Sequence, residues 1–328
     1  EAVGVTVTLA NKALADSMSL PGGLLIELVT PLSPTGALDV TGLGRLVQWV
    51  APWAAGVVAG SPGVGEALAL PPAQRRELYV ALLELLPPDL PLVFGITGAT
   101  LAETLNLAQE LEQTTSRCPT ARPIFWLDLP LWWHSNRGLP QAYEQLNRVL
   151  QYPVVLVNHP HLIRGKPNPL KHVNIRTAVL KKLSRLPMIA GLIYQGELRR
   201  FLHYYAAAAA RPEFKFFEAD ERRFLTRPGA GGLVSAGAQL FPETWREVVL
   251  ACLHPDQSSI SAHLREQSQL LFSVAELYQL QPAPLLKQGL YEANILSHAT
   301  VWPTTPAAPA HVGEKFQVIL EQFRRRWA

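Results

Sequence analysis

The chain has 328 residues, of which 48% are hydrophobic and 17% are charged. This composition provides enough apolar material for a large core and excludes an intrinsically disordered protein. The net charge of +3 comes from Lys and Arg residues that are scattered apart from short runs at 199–200 and 324–326, so we predict no nucleic-acid partner.

The first predicted segment is residues 1–21, which lack the basic start and the compact apolar run of a secretory signal. We expect a tail or an arm that clasps a partner. No run of about 18 apolar residues occurs, so we predict no membrane partner. Cys118 and Cys252 have neither metal-binding nor redox spacing and are interpreted as buried or free thiols in a reducing compartment, which predicts a cytoplasmic protein.

From residue 22 onward, short apolar runs recur roughly every thirty residues, each followed by a turn and a segment of helical period. This alternation predicts parallel βαβ units. A doubly wound open sheet would also give this alternation. Eight units in about 230 residues without a dinucleotide fingerprint favour instead an α/β fold of the (β/α)8 TIM barrel type over residues 22–245, with no cofactor. The predicted strands are 24–29, 57–59, 92–96, 124–127, 154–157, 189–193, 214–218 and 233–235.

Helix-start signals lie where the barrel requires them. Thr41 is predicted to cap the first helix, and Pro71 and Pro72 to begin the next. Thr100 and Glu103 have the spacing of a capping box. The local signals therefore agree with the predicted barrel.

Beyond the barrel, residues 246–328 are predicted to form a helical C-terminal extension. The strand pattern stops after Pro242, and prolines separate the segments of helical period that follow. Such an extension commonly covers a barrel or mediates its oligomerisation. The predicted helices are 245–253, 260–280, 285–298 and 312–327.

Motifs at the predicted strand ends carry a family resemblance. Residues 29–31 read Val-Thr-Pro, with Gly36 and Asp39 following; Gly65-Glu66 ends a glycine-rich loop; and Asn158 follows the fifth strand. These motifs, together with Gly191-Leu192 in the sixth strand and Gly232, Ser235 and Pro242 around the eighth, resemble those of the dihydrodipicolinate synthase and N-acetylneuraminate lyase family over about residues 22–254. The resemblance implies a barrel that forms a homodimer or homotetramer and binds a small carboxylate or 2-oxo acid.

The residues that the family reaction requires are replaced. The resemblance implies a Schiff-base lysine, a proton-relaying tyrosine and hydroxyl side chains in the glycine-rich loop. Ile193 stands at the lysine position, Val157 at the tyrosine position, and Gly63 and Val64 at the hydroxyl positions. Without an amine no iminium can form, so we predict that Schiff-base lyase activity is absent and that no residue takes the usual catalytic roles.

Other lysines are not well placed to substitute. Lys215 lies at the start of the seventh strand, at the opposite end of the barrel, and Lys166 would have to fold back over the mouth. The remaining lysines considered are interpreted as solvated charges. They are Lys171, Lys181, Lys182, Lys287 and Lys315.

The barrel mouth could still bind a ligand. Backbone amides of the loop at 60–66 could form a nest for a carboxylate, and a tight turn without a ligand is the alternative. Arg164 resembles the family's carboxylate-binding arginine if two residues are inserted, and a surface arginine is the alternative. The predicted ligand-binding residues are Gly63, Val64, Gly65, Glu66, Asn158, Arg164, Ile193, Tyr194 and Ser235.

A metal site is the less favoured alternative. His134, His159, His161 and Glu218 could hold a divalent ion that polarises a carbonyl, but partly exposed loop histidines are preferred as the interpretation, and no metal is predicted. Three functions therefore remain open: a barrel that binds a small acid or acts in assembly or regulation, an active aldolase, lyase or hydrolase that uses a metal or non-standard residues, and a purely structural subunit with a filled mouth.

Overall fold

The computed structural model describes residues 19–117, 121–166, 171–255 and 262–327. Eight parallel strands follow one another around a closed barrel, and the last pairs with the first. The predicted (β/α)8 TIM barrel with a C-terminal helical extension is confirmed. The strands are β1 Gly23–Glu27, β2 Gly56–Ala59, β3 Leu92–Gly95, β4 Ile124–Asp128, β5 Val154–Asn158, β6 Ile189–Tyr194, β7 Lys215–Glu218 and β8 Gly232–Ser235.

Helices connect the strands and continue beyond the last one. The barrel helices surround the sheet, and four further helices follow β8 in the described part of the chain. The predicted arm at 1–21 lies outside the described residues except for its last three. The helices are α1 Val40–Val50, α2 Pro72–Leu85, α3 Leu101–Arg117, α4 Pro130–Trp133, α5 Leu139–Val149, α6 Pro160–Arg164, α7 Thr177–Leu183, α8 Leu198–Ala208, α9 Glu221–Thr226, α10 Pro242–Leu253, α11 Ala262–Tyr278, α12 Pro282–Glu292 and α13 Ala310–Trp327.

The start of α1 differs from the prediction. The Asp39 carboxylate accepts a hydrogen bond from the Gly42 backbone N–H at 2.8 Å and caps the helix. Thr41 lies inside the first turn, so its prediction as the cap is wrong. Asp and Thr are both good capping residues, and in this sequence they stand two positions apart.

Thr100 caps the start of α3 as predicted, whereas the Glu103 side chain reaches the residue before the cap and not the cap residue itself. The Thr100 hydroxyl accepts from the Glu103 N–H at 3.1 Å, and the Glu103 carboxylate accepts from the Ala99 N–H at 3.0 Å. Two N–H groups that have no partner within the helix are thereby satisfied. Pro72 is the first residue of α2, as predicted.

The strands are almost wholly buried because helices cover one face and side chains fill the interior on the other. Consecutive apolar residues therefore face alternately inward and outward. The extension packs on this barrel, with α10 against β1 and α11 against α9. Cys252, in α10, is a half-buried free thiol, whereas Cys118 lies outside the described residues. Within the described ranges, no helix combines the length and apolarity needed to cross a membrane.

Candidate functional site

A cavity of about 110 Å³ lies at the carboxyl ends of the strands. This is the end of a (β/α)8 barrel where binding and catalytic side chains gather. The volume accommodates several water molecules or one small organic molecule. Its wall within the sheet is a ring of apolar side chains, which is called the apolar ring here and consists of Val58, Leu127, Val157, Ile193 and Val234.

Glu27 interrupts the apolar ring. It is the last residue of β1, pairs with Val58 of β2, and lines the cavity as a half-buried side chain. Burial, together with the nearby charge of Glu221, raises the pKa of Glu27 to about 7, although a hydrogen bond from the Ser61 hydroxyl lowers it. The cavity therefore contains a carboxyl group that exchanges its proton near neutral pH.

The C-terminal extension closes the other side of the cavity. Ala275 and Tyr278 of α11 line it, and so do Leu280 and Pro282 at the turn into α12. The site is therefore formed jointly by the barrel mouth and the extension. Of the two roles expected for the extension, covering the barrel agrees with this arrangement, and oligomerisation stays a prediction.

Glu221 stands beside Glu27 but is fully engaged by the protein. Its Oε1 accepts from the Ser235 hydroxyl at 2.5 Å and from the Gly237 N–H at 2.8 Å, and its Oε2 accepts from the Tyr278 hydroxyl. Burial raises the pKa of Glu221, and these hydrogen bonds lower it. The cluster ties the start of α9 to β8 and to α11.

The rim of the cavity is polar. His159, His161, Asp220 and Arg222 all line it. The His159 Nδ1 accepts from the Leu162 N–H at 3.3 Å, and burial, aided by the charge of His161, lowers the pKa of His159 to about 4. His159 is therefore neutral at pH 7, with its proton on Nε2.

Four of the predicted ligand-binding residues line the cavity: Gly63, Val64, Asn158 and Ile193. Tyr194 does not; it is buried, and its hydroxyl donates to the Glu197 carbonyl at 2.8 Å. Ser235 is engaged with Glu221. The structure thus brings together about half of the predicted set.

Arg164 also lies away from the cavity lining. It ends the short helix α6 and is exposed to solvent. This position matches the surface arginine that the sequence left as the alternative. Its role in binding a carboxylate stays a prediction.

Glu66 points away from the mouth and into a buried ion pair. Its partner is the ammonium of Lys287 in α12, which is fully buried. The interpretation of Lys287 as a solvated charge is therefore wrong. The Glu66 Oε1 also accepts from the Trp302 N–H at 2.8 Å and from the Thr305 hydroxyl at 2.6 Å, which joins the loop after β2 to the extension.

The loop at 60–66 uses several of its amides internally. The Gly65 N–H donates to the Ser61 hydroxyl at 2.9 Å, and the Glu66 N–H donates to the Gly63 carbonyl at 3.1 Å. These two amides are not available to an anion, so the predicted nest is reduced to the part of the loop formed by Gly63 and Val64. Glu66 has a φ of 56°, in the left-handed region that non-glycine residues adopt infrequently.

The candidate metal ligands have other partners or stand apart. The His134 Nδ1 lies 2.7 Å from the Ser135 carbonyl oxygen, and the rings of His159 and His161 are 6.4 Å apart. The Glu218 Oε1 accepts from the backbone amides of residues 219 and 220. In the parts of the chain that the structure describes, no three His, Cys, Asp or Glu side chains are grouped as metal ligands.

No lysine lines the cavity among the described residues. Lys215 begins β7 at the amino end of the sheet, as predicted. The Lys166 ammonium donates to the Trp132 carbonyl and lies 5.3 Å from the centre of the Trp132 ring. Trp126 is fully buried, and its indole N–H donates to Glu112 at 3.0 Å, so this tryptophan has a packing role.

Sequence reasoning missed Glu27, the most distinctive residue of the cavity. Its signal was present, since one carboxylate interrupts the apolar run Leu-Leu-Ile-Glu-Leu-Val at 24–29. Charged residues are rarely buried without a partner, and an acidic residue on an otherwise apolar strand is therefore informative. Glu221 and Tyr278 were missed because their pairing joins elements that are distant in the sequence.

The fold and the cavity define a class of protein: a (β/α)8 barrel with its site at the strand ends and a helical extension across it. A comparison with models of known families finds no match. Sequence relatives are found: the chain is 24% identical over 312 residues to the 4-hydroxy-tetrahydrodipicolinate synthase of Protochlamydia amoebophila, covering 93% of this chain and 97% of that one. The synthase of Methylococcus capsulatus is 23% identical over 86% of this chain and 92% of its own.

Solved structures show the same fold. The 4-hydroxy-tetrahydrodipicolinate synthase of Methylacidiphilum fumariolicum superposes with a TM-score of 0.77 at 19% identity, covering 93% of this chain and 97% of that one. The dihydrodipicolinate synthase of Thermotoga maritima gives 0.74 at 16% identity, with 92% and 98% covered. The chain is similar in sequence and in fold to dihydrodipicolinate synthases, and the predicted resemblance to that family is confirmed. The homo-oligomeric state and the cytoplasmic location stay predictions.

Proposed function

We propose that this barrel binds a small ligand non-covalently at its mouth and does not perform the Schiff-base lyase reaction that the family resemblance implies. The observation that carries the proposal is the apolar ring, in which Ile193 and Val157 face the cavity and no described lysine accompanies them. A hydrocarbon side chain cannot attack a carbonyl carbon. The electron sink of the reaction is therefore missing from the wall.

The charges of the cavity also bear on the ligand. The lining contains Glu27, Asp220 and Glu221, against a single arginine, Arg222. A carboxylate ligand close to these acids would be repelled, and few favourable contacts would offset the cost of its desolvation. This balance disfavours the small carboxylate or 2-oxo acid that the resemblance implies as ligand.

Borohydride trapping tests the proposal. The protein is incubated with pyruvate and a panel of other 2-oxo acids, reduced, and weighed intact by mass spectrometry. We expect no adduct, because no amine meets the carbonyl group in the cavity. A stoichiometric adduct on any lysine, including Lys12 outside the described residues, would overturn the proposal, and peptide mapping would identify the residue.

Two variants at one position serve as controls. Ile193→Lys places an amine in the apolar ring, and Ile193→Met places an uncharged side chain of similar length there. An adduct in the lysine variant alone would show that the cavity admits a 2-oxo acid and that the assay detects an imine. Circular dichroism checks that both variants fold.

A further inference from the structure

We propose that the cavity binds a small organic cation and that the ammonium group of this ligand pairs with the Glu27 carboxylate. The inference rests on the non-covalent binding proposed above and adds the chemical class of the ligand. It comes from the position of Glu27, from the partners that Glu27 lacks, and from the other acceptors on the wall.

Glu27 is the ionisable cavity residue that comes from within a strand. The other ionisable lining residues, among them His159, Asp220 and Arg222, come from the loops and helices at the rim. A carboxylate inside an apolar ring is expensive to ionise unless a partner compensates for the lost hydration. The apolar ring would in turn contact the hydrocarbon part of a ligand.

The described residues provide no cation for Glu27. None of their ion pairs includes it. Arg222 lies 3.9 Å from the carboxylate oxygens of both Asp220 and Glu276, so its charge is already balanced at the rim. Arg223 is held by Glu218 at 3.5 Å. No ion pair among the described residues therefore supplies a positive charge to Glu27, and a cation bound in the cavity would provide one.

The neighbouring carboxylate, Glu221, differs from Glu27 because the protein supplies its partners. Both oxygens of Glu221 accept hydrogen bonds from protein groups, including the hydroxyls of Ser235 and Tyr278. Gln195 adds an acceptor, because it lines the cavity and its buried Oε1 has no hydrogen-bond partner within the described part of the chain. An ammonium group has three donors and no acceptor, which suits a wall that offers carboxylate and amide oxygens.

The protonation state of Glu27 is consistent with a cationic ligand. Burial and the charge of Glu221 raise the pKa of Glu27 to about 7, so the unliganded cavity keeps it partly protonated at neutral pH. A cation would favour the ionised form, and its affinity would rise with pH until Glu27 is fully ionised. The other charged or titratable groups that face the cavity are Asp220, Glu221, Arg222, His159 and His161.

Calorimetric titration with three matched probes tests the inference. The probes are n-butylamine, n-butanol and butyrate, which share a chain and differ in their head group. At about pH 8.5 the amine is cationic and Glu27 is ionised. We expect the amine to bind at least about tenfold more tightly than the alcohol or the acid. Affinity for the amine should fall as the pH is lowered to about 5.5.

Variants of Glu27 assign the effect. Glu27→Gln removes the charge at constant size and should weaken amine binding by about tenfold or more. Glu27→Asp keeps the charge and should retain part of the affinity. Glu84→Gln, an exposed glutamate of α2, is the matched control and should bind like the native protein. Melting curves confirm that each variant is folded.

Other outcomes would overturn the inference. Preferential binding of butyrate or butanol would assign the cavity to another ligand class, and so would amine binding that Glu27→Gln leaves unchanged. Failure of all three probes to bind would show that the cavity does not select a small ammonium. None of these results depends on borohydride trapping, so an imine adduct would overturn the proposed function separately.

Discussion

The cavity wall and the junction between the barrel and its extension each contain a glutamate that is shielded from solvent. The two glutamates differ in the partners that the protein gives them. Glu66, at the junction, receives the ammonium of Lys287, the Trp302 N–H and the Thr305 hydroxyl. Glu27, at the cavity wall, is hydrogen-bonded by the Ser61 hydroxyl and has a like charge, Glu221, as its neighbour. The two residues belong to consecutive βα units of the barrel.

The difference separates a structural carboxylate from one that is available for function. A buried charge whose hydrogen-bonding capacity is filled holds elements together, and the loss of either partner is costly. A carboxylate that is left short of partners in a cavity makes the fold less stable than it could be. Such groups concentrate at functional sites, where a ligand completes their coordination.

The largest expected effect is at the junction. Lys287→Met keeps the length of the side chain but leaves Glu66 as an uncompensated buried charge, so we expect a loss of about 3–5 kcal/mol in the free energy of unfolding. Urea denaturation followed by circular dichroism measures it. Lys315→Met, at an exposed position of α13, is the matched control and should change the stability little. A loss below about 1 kcal/mol in Lys287→Met would place this pair with ordinary surface ion pairs.

At the cavity wall we expect a substitution to raise the free energy of unfolding. The pKa of Glu27 is raised from 4.5 to about 7 in the folded protein, so the folded state holds the proton more tightly than the unfolded state. The tighter binding of the proton contributes to the stability of the folded state. This contribution is fully present below the pKa of the unfolded state and is lost as the pH rises through 7. Glu27→Gln should therefore be more stable than the native protein by up to about 3 kcal/mol at pH 8.5, with no difference near pH 4.

Urea titrations across this pH range measure the effect. Glu218 also has a pKa raised to about 7 by burial, but it is present in both proteins and cancels in their difference. If Glu27→Gln is destabilised equally at every pH, Glu27 is a structural hydrogen-bonding group like Glu66. The contrast between the two regions would then be lost.

The barrel could be predicted from the sequence because each strand is buried on both faces and appears as a short apolar run. The predicted strands at 57–59 and 92–96 differ from β2 and β3 by one residue at one end. The prediction of the first helix cap was wrong because Asp39 and Thr41 are equivalent local signals. In the structure the helix begins at Val40, which leaves Asp39 at the cap position with its carboxylate on the Gly42 N–H.

The site was predicted in part. Alternation along β5 and β6 places Val157 and Ile193 on the inner face, and both line the cavity. Glu66 could not be placed, because its partner Lys287 lies 221 positions further along the chain and no local pattern pairs them. Glu27 could have been found, since it interrupts an apolar strand, but no motif of the family draws attention to it.

The smallest expected effect concerns Glu221, the saturated carboxylate inside the cavity. Tyr278→Phe removes the hydroxyl that donates to Oε2 and leaves the ring in place, so we expect a loss of about 2 kcal/mol, the value of a buried hydrogen bond to a charged group. Tyr205→Phe, on the exposed surface of α8, is the control. Because Tyr278 also lines the cavity, n-butylamine titration of Tyr278→Phe gives a second readout. Affinity close to native would mean that Glu221 serves the fold and leaves ligand binding to Glu27, whereas a loss as large as that of Glu27→Gln would mean that the two carboxylates bind the ligand together.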